Sequence, residues 1–125
     1  MDNDEAPQPQ IVAYKYSRRH TLNVADIVFV EAVDKYAVIH CNNDVYLLDD
    51  SLKMLANTYP DLLIRVHRKF LVSKSRIERF KRHHFPKDFE LTLKDHKQTF
   101  PVSRRCAPVV TSYMESFKGT RNRRD

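Results

Sequence analysis

A single glycine, Gly119 near the C-terminus, constrains the fold of this 125-residue chain more than any other feature. Neither a Gly-rich phosphate loop nor a dinucleotide-binding fingerprint can be written without glycine, so both are excluded. Tight turns must rely on residues that tolerate positive φ, chiefly Asn and Asp. Asn42-Asn43-Asp44 lies between two alternating apolar segments and predicts a hairpin turn.

The flanking segments read as strands. Residues 27–30, 36–40 and 45–48 are short and rich in β-branched or aromatic side chains. A period of two puts Tyr36, Val38 and His40 on one face, with Ala37, Ile39 and Cys41 on the other. Ser51 then predicts an N-cap for about two turns of helix, with Leu52, Leu55 and Tyr59 on one stripe before Pro60. Asp49 and Asp50 suit the positive end of that helix. Phe70 and Val72 form an apolar pair on a further strand, 73–76 interrupts the pattern, and 77–82 resumes it. Residues 83–88 read as a turn. Phe89, Leu91 and Leu93 alternate with polar residues as in a half-buried strand. After a turn at 95–98, residues 99–102 begin a return strand, and Ser103 caps a last short helix over 107–117.

One domain fits this length. Its expected limits are 11–117, between a disordered acidic, Pro-rich tail at 1–10 and a basic flexible tail at 118–125. No apolar run reaches membrane-span length, and the acidic start is the opposite of a signal peptide. The expectation is a cytoplasmic protein that does not engage membrane. Cys41 and Cys106 lack metal-like spacing and read as buried or half-buried thiols.

Charge is unevenly placed. Net charge is +6, yet residues 1–10 carry Asp2, Asp4 and Glu5 with no Lys or Arg, so the remainder is more basic than the whole. The stretch 61–87 holds nine Lys or Arg against Asp61 and Glu78. A field of that sign favours polyanions.

Enzyme chemistry finds no constellation. His83 and His84 point to opposite faces if on a strand, and His96 lies in a neighbouring turn. No second close pair completes a tetrahedral metal set, so no metal or other cofactor is expected. Cys41 beside His40 or His67 has no oriented third group or oxyanion site. The basic clusters carry more: Arg18-Arg19-His20 in an early turn, Lys35-Tyr36 at a strand entrance, Arg68-Lys69, Lys74 with Arg76, and Arg104-Arg105. A β-scaffold can bring such loops to one edge. Arginine's fork suits guanine O6 and N7, or a phosphate. Arg65 reads as structural, paired with an acidic neighbour, and His67 as packed within the scaffold.

The order of these segments resembles the LytTR family. Residues 26–32 (DIVFVEA) resemble its short strand ending in an acidic and a small residue, 36–39 the following strand, and 51–55 its short helix. Residues 64–73 (IRVHRKFLVS) are close to the central motif Phe-x-Arg-x-His-Arg-Ser-x-x-Val-Asn, followed by Ile77. Residues 101–105 (PVSRR) resemble the closing motif. The resemblance spans about 11–114. Lys69 replaces the usual Ser, Ser73 the usual Asn, and Tyr36 stands at or beside a position that some members fill with His.

This resemblance implies a mostly β fold: an elongated, sandwich-like set of antiparallel sheets with one or two short helices. It implies a non-enzymatic, sequence-specific double-stranded DNA binder of bacterial transcription regulation, whose loops enter successive major grooves and bend the duplex. Lys35, Tyr36, Arg68 and Arg104 would contact bases; Lys69, Lys74, Arg76 and Arg105 would contact phosphates. Two copies would sit on paired direct repeats as a homodimer on DNA. The 125 residues hold no receiver-like segment, so either a free-standing domain or the output part of a longer response regulator is expected. A single-stranded DNA or RNA binder, and a protein-interaction module with a basic surface, are the alternatives.

Overall fold

The computed structural model describes residues 8–85 and 87–122. The chain forms strands β1 (Gln10–Lys15), β2 (Arg18–Asn23), β3 (Ile27–Val33), β4 (Tyr36–Cys41) and β5 (Val45–Leu48), then helix α1 (Leu52–Thr58). Strands β6 (Leu63–His67), β7 (Phe70–Ser73), β8 (Ile77–His84), β9 (Lys87–Leu93) and β10 (Thr99–Val102) follow, and helix α2 (Ala107–Asn122) ends the fold. Seven strands make one sheet, in the order β2-β1-β5-β4-β3-β7-β6. The other three make a second, β10-β9-β8. All pairings are antiparallel, as the mostly β expectation required.

β3 is the reason for two layers of packing. Ile27, Val28, Phe29 and Val30 are all buried, which is what a strand covered on both faces demands. Val28 and Phe29 join Ile64, Val66, Val72, Leu91, Leu93, Phe100 and Val110 in a core between the large sheet, the small sheet and α2. Ile27 and Val30 join Ala37, Ile39, Leu48, Leu52, Leu55 and Leu71 in a second core beneath α1. The β3–β4 register shifts between Ile27 and Phe29, and this bulge lets consecutive Val28 and Phe29 serve the same core. Each fully buried Leu, Ile or Phe contributes about 1.5–3 kcal/mol. The alternation of Phe89, Leu91 and Leu93 is realised, with Leu91 and Leu93 buried and Phe89 half-buried.

A serine caps α1, and another bonds within the turn that leads into α2. Ser51 Oγ accepts from the Met54 N–H at 3.0 Å, and Ser103 Oγ accepts from the Cys106 N–H at 3.1 Å. Leu52 and Leu55 are buried and Tyr59 is half-buried at the helix end.

Four local expectations need correction. Positive φ falls on Tyr16, Ser17, Asp34 and Asp95; Asn42 and Asn43 do not adopt it. The 42–44 turn closes instead through the Cys41 N–H on the Asp44 carbonyl at 2.8 Å. Arg18, Arg19 and His20 lie on β2, because the chain turns at Tyr16-Ser17. His83, His84, Lys87 and Asp88 extend β8 and β9, pairing His83 with Asp88 and His84 with Lys87, so the turn is narrower than 83–88. Helix α2 runs to Asn122, past the expected end at 117 and into the segment read as a flexible tail. The rest of the expected tails, 1–7 and 123–125, lies outside the described residues. Among those described, no helix is long and apolar enough to cross a membrane.

Candidate nucleic-acid interface

The β6–β7 turn is held from behind. Arg65, on β6, donates from Nε to the His67 carbonyl at 3.2 Å and from Nη2 to the Arg68 carbonyl at 2.9 Å. Its partners are therefore main-chain oxygens, not the acidic side chain expected from the sequence. His67 Nδ1 accepts from the Lys69 N–H at 3.1 Å. With its backbone so occupied, the turn presents Arg68 and Lys69 as exposed side chains. Burial lowers the His67 pKa, and the positive charges of Arg68, Lys69 and Arg65 lower it further. The imidazole is a neutral acceptor inside the scaffold, as its sequence context suggested.

The β3–β4 turn is tied to this one. The Ala32 N–H donates to the Lys69 carbonyl at 2.9 Å, and Asp34 takes the positive φ that reverses the chain. Lys35, Tyr36, Arg65 and Arg68 thereby line one cleft of about 420 Å³, whose wall also carries Lys53, Asp49 and Asp50. Tyr36 is 49 % exposed. The sequence reading did not single out Lys53; it becomes visible only once α1 is placed beside the two turns.

The Arg104-Arg105 turn docks on β6 from the other side. The Ser103 N–H donates to the Val66 carbonyl at 2.9 Å, one residue before His67. Arg104 and Arg105 are exposed and diverge. Arg104 lines a shallow hollow with Arg82, Lys87 and Phe89, and the Arg82 guanidinium lies 5.6 Å from the Phe89 ring centroid. Arg105 lines a groove with Arg65 and Lys74. Lys74 Nζ sits 5.3 Å from the Tyr113 ring centroid, while the Tyr113 hydroxyl donates to the Lys74 carbonyl at 3.1 Å.

Arg76 is separated from that set. It lines a different hollow with Cys41, Asp44, Lys94 and His96. Lys74 and Arg76 are two residues apart on a single 3-10 turn, where a spacing of two sends side chains apart. The structure thus gathers Lys35, Tyr36 and Arg68 in one cleft and Lys74 with Arg105 in a neighbouring groove. It leaves Arg104 and Arg76 in hollows of their own.

The remaining reactive groups are structural in setting. His96 packs edge-on against Phe29 at 5.4 Å, and His83 Nε2 lies 3.3 Å from Glu90 Oε1. No cluster of three or more His, Cys, Asp or Glu that could hold a metal occurs among the described residues. Cys41 and Cys106 are free and half-buried. Burial raises the Cys41 pKa, as do Asp26 and Asp44, which disfavours the thiolate. His40 stacks on Phe29 at 4.1 Å, and burial lowers its pKa despite Glu31 nearby.

Comparison with known proteins adds an independent line. The pattern of the LytTr DNA-binding domain family matches residues 17–115. The positive alginate biosynthesis regulatory protein of Pseudomonas aeruginosa is 31% identical over 112 residues, covering 89% of this chain and 45% of that protein. The chain thus spans about half the length of the curated relative it matches. A solved LytTr DNA-binding domain from Bacillus cereus superposes with a TM-score of 0.74 at 21% identity, covering 86% of this chain and 98% of that one, and so shares its fold.

Proposed function

The chain belongs to the LytTR DNA-binding domain family, non-catalytic modules of bacterial transcription regulation, and we propose that it recognises specific double-stranded DNA with residues 11–117 as the binding unit. In this reading Arg68 reads bases from the β6–β7 turn, with Lys35 or Tyr36 beside it and Arg104 from the turn after β10. Lys69, Lys74 and Arg105 neutralise phosphates, and Arg76 extends that set past its own hollow. Two copies engage paired direct repeats as a homodimer on DNA, in the cytoplasm, and a receiver domain or regulatory partner supplies the signal.

The observation that carries this reading is the Arg65 clamp. A turn whose carbonyls are fixed by a guanidinium holds Arg68 ready to enter a groove without ordering the loop at the moment of binding. Arg68 and Lys35 share their cleft with Asp49 and Asp50, whose carboxylates repel phosphates from that wall.

The test is selection of bound duplex fragments with the purified chain and with the Arg68→Ala/Arg104→Ala chain. A spaced repeat enriched by the first and lost by the second is expected. Enrichment of the same repeat by both would overturn the base-contact assignment, and enrichment by neither would overturn duplex recognition. Exposed Tyr14, Tyr16 and Tyr36 favour the single-strand alternative, since bases stack on exposed aromatics. Single strands outcompeting duplex would establish it.

A further inference from the structure

Between the end of α1 and the first half of α2 lies a groove of about 830 Å³. Its lining includes the apolar Pro60, Val109 and Tyr113, and its cations are Arg65, Lys74 and Arg105. None of its lining residues is Asp or Glu. Val109 is 57 % exposed there. A surface of this kind fits an acidic peptide with some apolar residues.

The chain carries such a peptide. Residues 1–7, MDNDEAP, hold Asp2, Asp4 and Glu5 with Met1, Ala6 and Pro7, and no Lys or Arg. The described chain starts close to the end of α1. The Gln10 carbonyl accepts from the Tyr59 hydroxyl at 3.4 Å, and Tyr59 directly precedes the groove residue Pro60. From Tyr59 a short relay leads into the groove: the Leu62 N–H donates to the Tyr59 carbonyl at 3.1 Å, and the Lys74 N–H to the Leu62 carbonyl at 2.9 Å. Seven extended residues reach about 25 Å at most, which sets the span available from the Gln10–Tyr59 contact toward the groove at Pro60.

We propose that the acidic segment 1–7 folds back into the groove between α1 and α2 and competes there with DNA phosphates for Lys74 and Arg105. Docking of the segment stands on the groove and the tether alone; the competition rests on the DNA reading above. Attachment to the same chain holds the carboxylates at high effective concentration, so a weak contact suffices to raise the threshold for nonspecific duplexes. A cognate site, with its added base contacts at Arg68 and Arg104, displaces the segment.

Docking is tested without DNA. Amide resonances of Lys74, Val109 and Tyr113 are compared by NMR between the full chain, the chain lacking 1–7, and the full-length Asp2→Asn/Asp4→Asn/Glu5→Gln chain. Shifts at these amides in both variants at low salt are expected, fading at about 0.5 M salt as screening shortens to a few Å. Shifts confined to the neighbours of Gln10 and Val24 would overturn docking. Competition is tested on random-sequence duplex, where loss of the segment is expected to tighten binding about 3–10-fold at low salt and little at high salt. In an Arg105→Ala background the gain should shrink. An equal gain in both backgrounds would make this bulk charge repulsion and overturn competition at the groove. A segment that docks on a chain that binds no duplex, with or without residues 1–7, would overturn the DNA reading and the competition while leaving docking established.

Discussion

The Arg65 guanidinium holds the main-chain carbonyl of Arg68 at 2.9 Å, so one arginine fixes the backbone from which another projects. Between them in sequence lie Val66 and His67, and the His67 acceptor nitrogen takes the Lys69 N–H. The turn's polar backbone is thereby committed inward. What it offers outward is side-chain charge, the part that the proposed function assigns to DNA.

Arg65→Lys should fail where a simple charge requirement would predict success. An ammonium lacks the planar fork that reaches two carbonyls at once. Arg65→Ala and Arg65→Lys should each cost about 1 kcal/mol in urea unfolding, below the range for fully buried charged hydrogen bonds because the side chain is only half-buried. Exchange of the Lys69 amide should speed up in both, and duplex affinity should fall with Arg68 intact. Full affinity in Arg65→Lys would show that the clamp is dispensable.

His67 predicts a pH dependence of stability with a definite sign. Its pKa is lowered in the fold by burial and by Arg68, Lys69 and Arg65, so the folded state binds the proton less readily than the unfolded state. Stability is then complete above the ordinary histidine value of about 6.5 and is lost as pH falls through the lowered folded value. His40 adds to the same window for the same first reason, burial. In His67→Asn, whose amide oxygen can still accept from the Lys69 N–H, the slope of unfolding free energy between about pH 7 and 5 should flatten. An unchanged slope would assign the dependence to His40 alone.

Base contact and phosphate contact should separate experimentally. Arg68→Ala should cost about 1–3 kcal/mol of discrimination between cognate and scrambled duplex. Lys69→Ala should weaken both duplexes alike and reduce the salt slope by about one. Anisotropy titrations at several salt concentrations read both quantities. A salt slope lowered by Arg68→Ala with discrimination unchanged would make Arg68 a phosphate contact.

The alternating and apolar segments were legible because burial writes itself into composition. Phe89, Leu91 and Leu93 show one buried face, and Ile27 to Val30 show two. The β1–β2 hairpin was not legible, since its turn places Tyr16 and Ser17 at positive φ without an Asn, Asp or Gly to signal it. The hairpin turn expected at Asn42-Asn43-Asp44 does join β4 to β5, but Asn42 and Asn43 make it without the positive φ that their composition suits. At the candidate interface, Arg68 and Lys35 were visible as members of basic clusters, Lys35 at a strand entrance. Arg65 was misread because its partners are carbonyl oxygens, which every residue carries and no sequence distinguishes. The separation of Arg76 from Lys74 follows from the 3-10 turn between β7 and β8, which the sequence marked only as an interruption.

Ser103 couples stability to the position of the second arginine pair. Its N–H bonds the Val66 carbonyl, its carbonyl accepts from Ala107 at 2.9 Å, and its Oγ caps Cys106. Ser103→Ala removes only the last of these and should cost about 0.5–2 kcal/mol, as for other N-cap losses. The Arg104-Arg105 turn should loosen as well, so duplex affinity should fall under conditions where the variant is fully folded. Ile39→Val provides the matched control. Ile39 is fully buried beneath α1, away from the basic turns, and the substitution should cost a similar 0.5–1.5 kcal/mol or so without touching affinity. Ser103→Thr, which keeps a capping oxygen, should recover both stability and binding. If Ser103→Ala and Ile39→Val bind duplex equally well, the cap serves the fold alone and Arg104 and Arg105 are positioned by the Val66 contact.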